Sequence, residues 1–446
     1  MGEMLKKIVL CFLFLLLLGW AFAWNRQNQK NKLAMALDGK VHVSYWEKWT
    51  GFEGDAMKAV VDDFNASHDA IHVDLLTVSQ INEKTLVATA GGDPPDVAGL
   101  FSFDVHVYAD LGAVTPLEDL FKESGWTEER YIPAFWKLCV HQGHLWALPT
   151  TPATMALHWN KKMFREAGIP EDQPPKTIAE LNDYARKLTK KDASGKITQM
   201  GFLPTEPGWW PWAWPYFFGG RLWDGEGKIT LTDPKTIEAM KWYQSFSKDF
   251  GFKTLDVFRQ GFGNFSSPQN AFLEGKVAME IQGVWMYNFI NMYNPTLEWA
   301  AAPFPVADPA MGEMSAADAD VLVIPKGARH PKEAWEFVRY VNEQAPMEKL
   351  CMGQRKFSPL REVTPAFLET HPNPYIKTFL RLAYGNAFSE PHLNMWQDFN
   401  DTLTVSMERI WLLEVDPAEE MARIEPQLQR KLDRELKRQA VLKGPA

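Results

Sequence analysis

The stretch VHVSYWEKWTGFEGDAMKAVVDDFNASHDAIHVDLLTVSQINEKTLVATAGGDPPDVAGL, residues 41–100, decides the fold. VHVSYW (41–46) alternates and is rich in β-formers, which predicts a strand. Met57, Val60, Val61 and Phe64 recur at three-four spacing and predict a helix over Glu53–Ser67. IHVDLLTV (71–78) reads as a second strand, INEKTLVATAGG (81–92) as a helix ended by Gly91-Gly92, and PDVAGL (95–100) as a third strand. Strand and helix in alternation build a wound α/β sheet. Ligands of such sheets sit beyond the carboxyl ends of the strands. WEKWTGFEG (46–54) and FSFD (101–104) are therefore the first places to look.

Working outward, LWALPTTPATMALHWN (145–160) predicts an extended segment that leads into a helix. Thr177 with Glu180 three residues on forms a capping box for the next helix. Residues 234–251 predict a helix closed by Gly251, and 331–343 an amphipathic one. VAMEIQG (277–283) and VLVIP (321–325) read as buried strands. GVW (283–285) and the SAADAD run (315–320) are then expected as loops beside the crevice. Met421, Ile424, Leu428, Leu432 and Leu436 lay an apolar stripe along a final helix.

The chain has 446 residues, enough for two or three domains at roughly 150 residues each. Asp plus Glu is 56 against 47 for Lys plus Arg, a net charge of −9, which argues against a nucleic-acid partner. Residues 1–24 carry Lys6 and Lys7, an apolar run from Ile8 and Ala21-Phe22-Ala23. That is the pattern of a secretory signal, with an uncleaved membrane anchor as the alternative. The chain beyond it is expected to be exported to the periplasm. Cys139 and Cys351 remain there, either paired in an oxidising compartment or as two buried thiols. No phosphate loop, dinucleotide fingerprint, nucleophile elbow or H-E-x-x-H is present. His141 and His144 make only an H-x-x-H in a Gly-containing turn. No catalytic residue, metal ligand or cofactor is assigned.

The densest signal is GWWPWAWPYFFGG (208–220), with Trp209, Trp210, Trp212 and Trp214 among 19 tryptophans in the chain. No single period buries that many rings on one side. Exposed flat rings suit sugars, whose C–H faces stack on indole, or quaternary ammonium ligands through cation–π attraction. The competing reading is an aromatic cluster packed under a loop. Glu47 and Trp49 follow the first strand and are expected to face the crevice, with Trp49 equally readable as core. Ser102 and Asp104 end the third strand, where Asp104 could accept two sugar hydroxyls or serve as a solvated turn acid.

Taken in order, VSYWEKWTGFEGDAMKAVVDDFN (43–65), ATAGGDPPDVAGL (88–100), DLGAVTPLEDL (110–120), LHWNKKMFREAGI (157–169), PPKTIAEL (174–181), FLEGKVAMEIQGVW (272–285) and VLVIPKGARHPKEAWEFVRYV (321–341) form a pattern. It resembles the extracellular solute-binding proteins of bacterial sugar ABC importers, the maltose-binding-protein-like group, over about residues 41 to 430. The resemblance implies an α/β fold of two lobes around a ligand cleft. Lobe one would be residues 41–150 plus 305–355, and lobe two 151–304 plus 356–446. Crossings are expected near Thr150–Ala153, Pro303–Pro305 and Arg355–Pro359. By position, the resemblance assigns ligand contact to Glu47, Trp49, Ser102, Asp104, Trp209, Trp210, Trp212, Trp285, Asp318, Arg355 and Trp396. It implies a non-enzymatic, monomeric receptor that binds a sugar, an oligosaccharide by expectation, and delivers it to ABC permease subunits. A receptor for a quaternary-ammonium solute and an exported carbohydrate-cleaving enzyme are the rival readings.

Overall fold

The computed structural model describes residues 39–208 and 211–443. The expected signal or anchor at 1–24 lies outside them, as do Trp209 and Trp210. Among the described residues no helix is long and apolar enough to cross a membrane. Ten strands share one sheet: β1 (Val41–Glu47), β2 (Ile71–Thr77), β3 (Val97–Phe101), β4 (Leu148–Asn160), β5 (Lys190–Lys191), β6 (Ile197–Phe202), β7 (Val277–Gly283), β8 (Trp299–Ala302), β9 (Met314–Val323) and β10 (Asn386–Phe388). The main path runs β2-β1-β3-β9-β4-β7-β6-β5, with β8 on β4 and β10 on β9. β1 lies parallel between β2 and β3, as the wound pattern of residues 41–100 requires. Met57, Val60, Val61 and Phe64 are all buried beneath the helix Gly51–Ser67. Thr177 and Glu180 close their capping box at the start of helix Ile178–Leu188. Such a cap is worth about 1 kcal/mol.

Buried apolar side chains fall into two large clusters. One contains Val43, Phe64, Leu148, Val321, Phe337 and Cys351. The other contains Ala153, Phe202, Met279, Ala319, Phe357 and Ile424. Packing changes side within β4 between Leu148 and Ala153, within β9 between Ala319 and Val321, and between Cys351 and Phe357. The middle change does not fall at Pro303–Pro305, since Phe304 and Val306 stay in the second cluster. β9 makes the crossing instead. The SAADAD run is accordingly not a loop but part of this strand. Alanine and aspartate are poor strand formers, but pairing with β10 at Ser315–Ala316, with β4 along Ala317–Ala319 and with β3 at Asp320 overrides that preference.

The prolines of β4 explain what happens at the crossing. Ala319 pairs with Pro152 and Val321 with Pro149, so Thr150 and Thr151 together face Asp320. Proline cannot donate to a ladder, and inside a sheet it is accommodated at bulges of this kind. The Thr151 hydroxyl donates to Asp320 Oδ2 at 2.5 Å. Lys48 Nζ lies 3.0 Å from Asp320 Oδ1, and Lys356 Nζ 3.4 Å from Oδ2. Lys356 also pairs with Glu53 at 3.2 Å, and Lys48 lies 3.6 Å from Glu47. Burial would push Asp320 up, but Lys48 and Lys356 together hold it below the usual carboxylate range. Of the two readings for the cysteines, the structure has free thiols: Cys139 and Cys351 are buried and unbonded.

Removing one partner from a buried ion network strands the others, at a cost of about 3–5 kcal/mol. Asp320→Ala should lower unfolding stability by that amount in urea melts, while Lys58→Ala, which breaks an exposed pair with Asp62, should change it by less than about 1 kcal/mol. Equal effects would show that the network does not bind the crossings together.

Candidate functional site

The carboxyl ends of β1 and β3 and the middle of β9 meet in one place. Period two puts Val43, Tyr45 and Glu47 on the buried face of β1. Glu47 therefore does not line the crevice surface. It accepts from the Tyr45 hydroxyl and, at 2.6 Å, from the Lys48 amide. Gly99 lies against its carboxylate, where any Cβ would collide with it. Trp49 is half-buried. Its indole N–H donates to Asp320 Oδ2 at 3.0 Å, and Lys356 Nζ lies 5.0 Å from its ring centre.

Beside this network the sites run acidic. Ser102 is buried, and its hydroxyl donates to Asp318 Oδ1 at 2.5 Å. Asp318 is raised to about 6 by burial, with Ser102 opposing and Asp320 adding to it. Asp104 accepts from the Asn82 amide. Burial, then the charge of Asp318, raises it to about 7. Glu390 reaches the same place from the segment between β10 and the helix Trp396–Trp411. Burial lifts it to about 7, helped by Asp318 and Asp104, with the neighbouring Trp396 opposing. Among the described residues no lysine, arginine or histidine forms an ion pair with Asp104, Asp318 or Glu390.

Trp396 stacks on Phe399 at 5.4 Å and meets Trp212 edge-on at 5.9 Å. Trp212 itself is about 1% exposed. Trp214, Phe217 and Phe218 are buried as well, so the described part of the aromatic segment is packed and not laid out as open platforms. The tight turn 211–213 and the helix Trp214–Phe217 send successive rings in different directions into the second cluster. Trp214 rests on Trp242, and Phe217 on Phe304.

Trp285 is half-buried and donates to Gln282 Oε1 at 3.1 Å. Its ring lies across Gly283, where a Cβ would fall 2.5 Å from it. The following helix, Met286–Tyr293, supplies Asn288, which accepts from Arg355 at 3.0 Å. Arg355 has a φ of +57° and sits 5.3 Å over Phe52. The structure thus joins Ser102, Asp104 and Asp318, joins Trp212 to Trp396, and sets Arg355, which caps the helix Gln344–Gln354, against Asn288 of the helix that follows Trp285. Elsewhere, His141 pairs with Asp110 at 3.0 Å and His144 with Glu118. No described group of side chains is arranged to hold a metal ion.

Sequence reasoning passed over Lys48, Asp320, Lys356 and Glu390. Asp320 had a usable signal, the i, i+2 spacing from Asp318 that places both on one face of a strand. Glu390 had none, because only the folded chain brings it to Asp104.

The family of bacterial extracellular solute-binding proteins matches residues 52–348. The chain belongs to that family. A binding protein of Brucella abortus is 23% identical over 394 residues, covering 86% of this chain and 92% of its own. The sn-glycerol-3-phosphate-binding periplasmic protein UgpB of Escherichia coli is 28% identical over 189 residues, covering 40% of this chain and 42% of its own. Among solved structures, CpMnBP1 with mannobiose bound superposes with a TM-score of 0.74 at 27% identity, over 87% of this chain and 99% of that one. The sugar-binding protein MalE of Xanthomonas citri reaches 0.75 at 20% identity, over 91% and 100%. The solute-binding protein described here therefore has the two-lobed periplasmic-binding-protein fold.

The acidic side chains make its stability depend on pH. Asp104 is raised from its ordinary 3.8 to about 7, so between those values the folded protein holds protons that the unfolded chain releases. Stability contributed by this group is lost as pH rises through that window. Asp104→Asn should raise the melting temperature at pH 8, by about 2 °C or more, and give no gain at pH 4. A gain of equal size at both values would contradict the assignment.

Proposed function

We propose that this solute-binding protein is a non-enzymatic periplasmic receptor that captures a sugar, and an oligosaccharide in particular, for an ABC permease. The observation that carries the reading is the convergence of Asp104, Asp318 and Glu390 beside the Trp396–Trp212 pair. Each carboxylate can accept two hydroxyls, and an indole takes the apolar face of a pyranose. The two packed clusters act as the lobes, and bending of β4, β9 and residues 355–359 closes them. Sugar-bound relatives of the same fold, such as CpMnBP1 with mannobiose, agree with this.

The charge also separates this reading from a glycerol-phosphate ligand, which the UgpB similarity would suggest. A phosphate needs arginine, lysine or backbone N–H donors, and three carboxylates repel it. A quaternary-ammonium solute is the second reading, since acids next to indoles suit a cation as well.

Calorimetry and thermal melts against mono- and oligosaccharides, glycine betaine and sn-glycerol 3-phosphate decide among them. A true ligand at 100 times its dissociation constant should stabilise by about 2.7 kcal/mol. Saccharide hits alone support the proposal, betaine alone supports the second reading, and glycerol phosphate alone removes both. Trp396→Ala and Trp285→Ala should each weaken the sugar by roughly 10- to 100-fold, in line with the loss of an aromatic anchor. Unchanged affinity in both would dismiss the site.

A further inference from the structure

β10 pairs with the start of β9 and delivers the segment 389–395 to the helix Val105–Asp110, which begins directly after Asp104. The two belong to different apolar clusters. Val105 and Tyr108 anchor the helix in the first, and Leu393 anchors the segment in the second. Three pairs meet along this seam. The charge of Asp104 acts on Glu390. His106 and His392 stack, their ring centres 5.1 Å apart and their planes 7° from parallel. The Asn394 amide donates to Asp110 Oδ2 at 2.6 Å, across 284 residues of chain. The sequence spacing explains the match. His106 and Asp110 are four apart and share a helix face. Glu390, His392 and Asn394 alternate with Pro391 and Leu393, which are buried.

A stack of this kind holds while both rings are neutral. Two imidazolium faces in contact repel, and burial removes the water that would screen them. His141, from residues 140–145, lies 6.0 Å from His106 and adds a third imidazole. Asp110 opposes these charges, but it is already engaged by His141 at 3.0 Å, Gln142 at 2.8 Å and Asn394, and it also acts on Arg438 of the helix Pro417–Lys443. Burial, then His392, brings His106 from an ordinary 6.5 down to about 4, and burial with His141 lowers His392. Asp104 and Glu390 titrate higher, at about 7, and taking up protons there relaxes their mutual repulsion.

We propose that His106 and His392 form a clasp between the two lobes that positions Asp104 and Glu390 for capture and releases at acidic pH. The proposal rests on the closure argued above and not on which solute is held. Both histidines are positioning residues, each two places after a carboxylate of the site. As pH falls from about 6.5 towards about 4, an open form with solvated rings takes up protons that the clasp rejects, so closing weakens over that window. The carboxylates act in the opposite sense and from higher pH, so a loss of closure on acidification is not theirs.

The test is small-angle X-ray scattering of the purified protein without solute, from pH 8 down to pH 4.5, with circular dichroism at each pH to separate opening from unfolding. The wild-type radius of gyration should rise with a midpoint between about 4 and 6.5. The double variant His106→Phe with His392→Phe keeps two stacked rings that take no proton, and should stay compact over the whole range. His392→Phe alone leaves one titrating ring and should show a smaller rise. His392→Ala removes the stack and should already be expanded at pH 8. A wild-type radius that does not change, a double variant that expands with the wild-type midpoint, or a His392→Ala protein as compact as wild type at pH 8 overturns the clasp. Any of these, with saccharides still stabilising the wild-type protein, leaves the sugar reading in place. Silence of every saccharide removes that reading and leaves the clasp to be decided by the scattering.

Discussion

Asp320, buried between Lys48 and Lys356, is the interaction on which the rest of the structure depends. Its partners come from the end of β1, the bulge of β4 and the 355–359 segment. These lie at or beside the places where packing passes from one apolar cluster to the other. A hydrophobic contact at a crossing would be non-directional and could slide. A charged pair with a hydroxyl and an indole N–H on the same carboxylate has one geometry in which all are satisfied. The bulge that two prolines impose on β4 is what turns Thr151 toward that carboxylate. Chain geometry and electrostatics thus specify the same arrangement.

Asp318 and Asp320 show how the same residue type serves two purposes two positions apart. Both are on one face of β9. Asp320 meets two lysines and is held low, whereas Asp318 meets a serine and other acids and is held high. A paired buried carboxylate has no remaining demand. Asp318, Asp104 and Glu390 form no ion pair with a cationic side chain among the described residues, and it is on this difference that the proposed sugar reading rests. The two carboxylates of β9 are separated by one residue, Ala319, whose amide donates to Asp318 Oδ1 at 2.7 Å.

The fold was legible because residues 41–100 state their periods plainly. β1, β2 and β3 and the helices between them stand within a few residues of where the alternation and three-four spacing put them. SAADAD was misread because intrinsic preference disfavours alanine and aspartate in strands, and only neighbours on both sides reverse that. The aromatic segment misled for a different reason. A period-free run of rings has no face to expose, but it need not be exposed if turns distribute its rings around a core, as Trp212, Trp214 and Phe217 do. Glu47 looked like a cleft residue because it ends a strand, yet its parity with Val43 and Tyr45 already placed it on the buried face.

The site is less legible than the fold for a reason built into the architecture. Asp104, Asp318 and Glu390 are separated by more than 200 and 70 residues in turn, so no local pattern couples them. The scaffold that brings them together is shared with proteins whose names specify quite different solutes, from mannobiose to glycerol phosphate. Sharing it is inexpensive in sequence terms, because apolar periods and strand pairing tolerate exchange. Likeness across hundreds of residues therefore constrains the fold strongly and the ligand weakly.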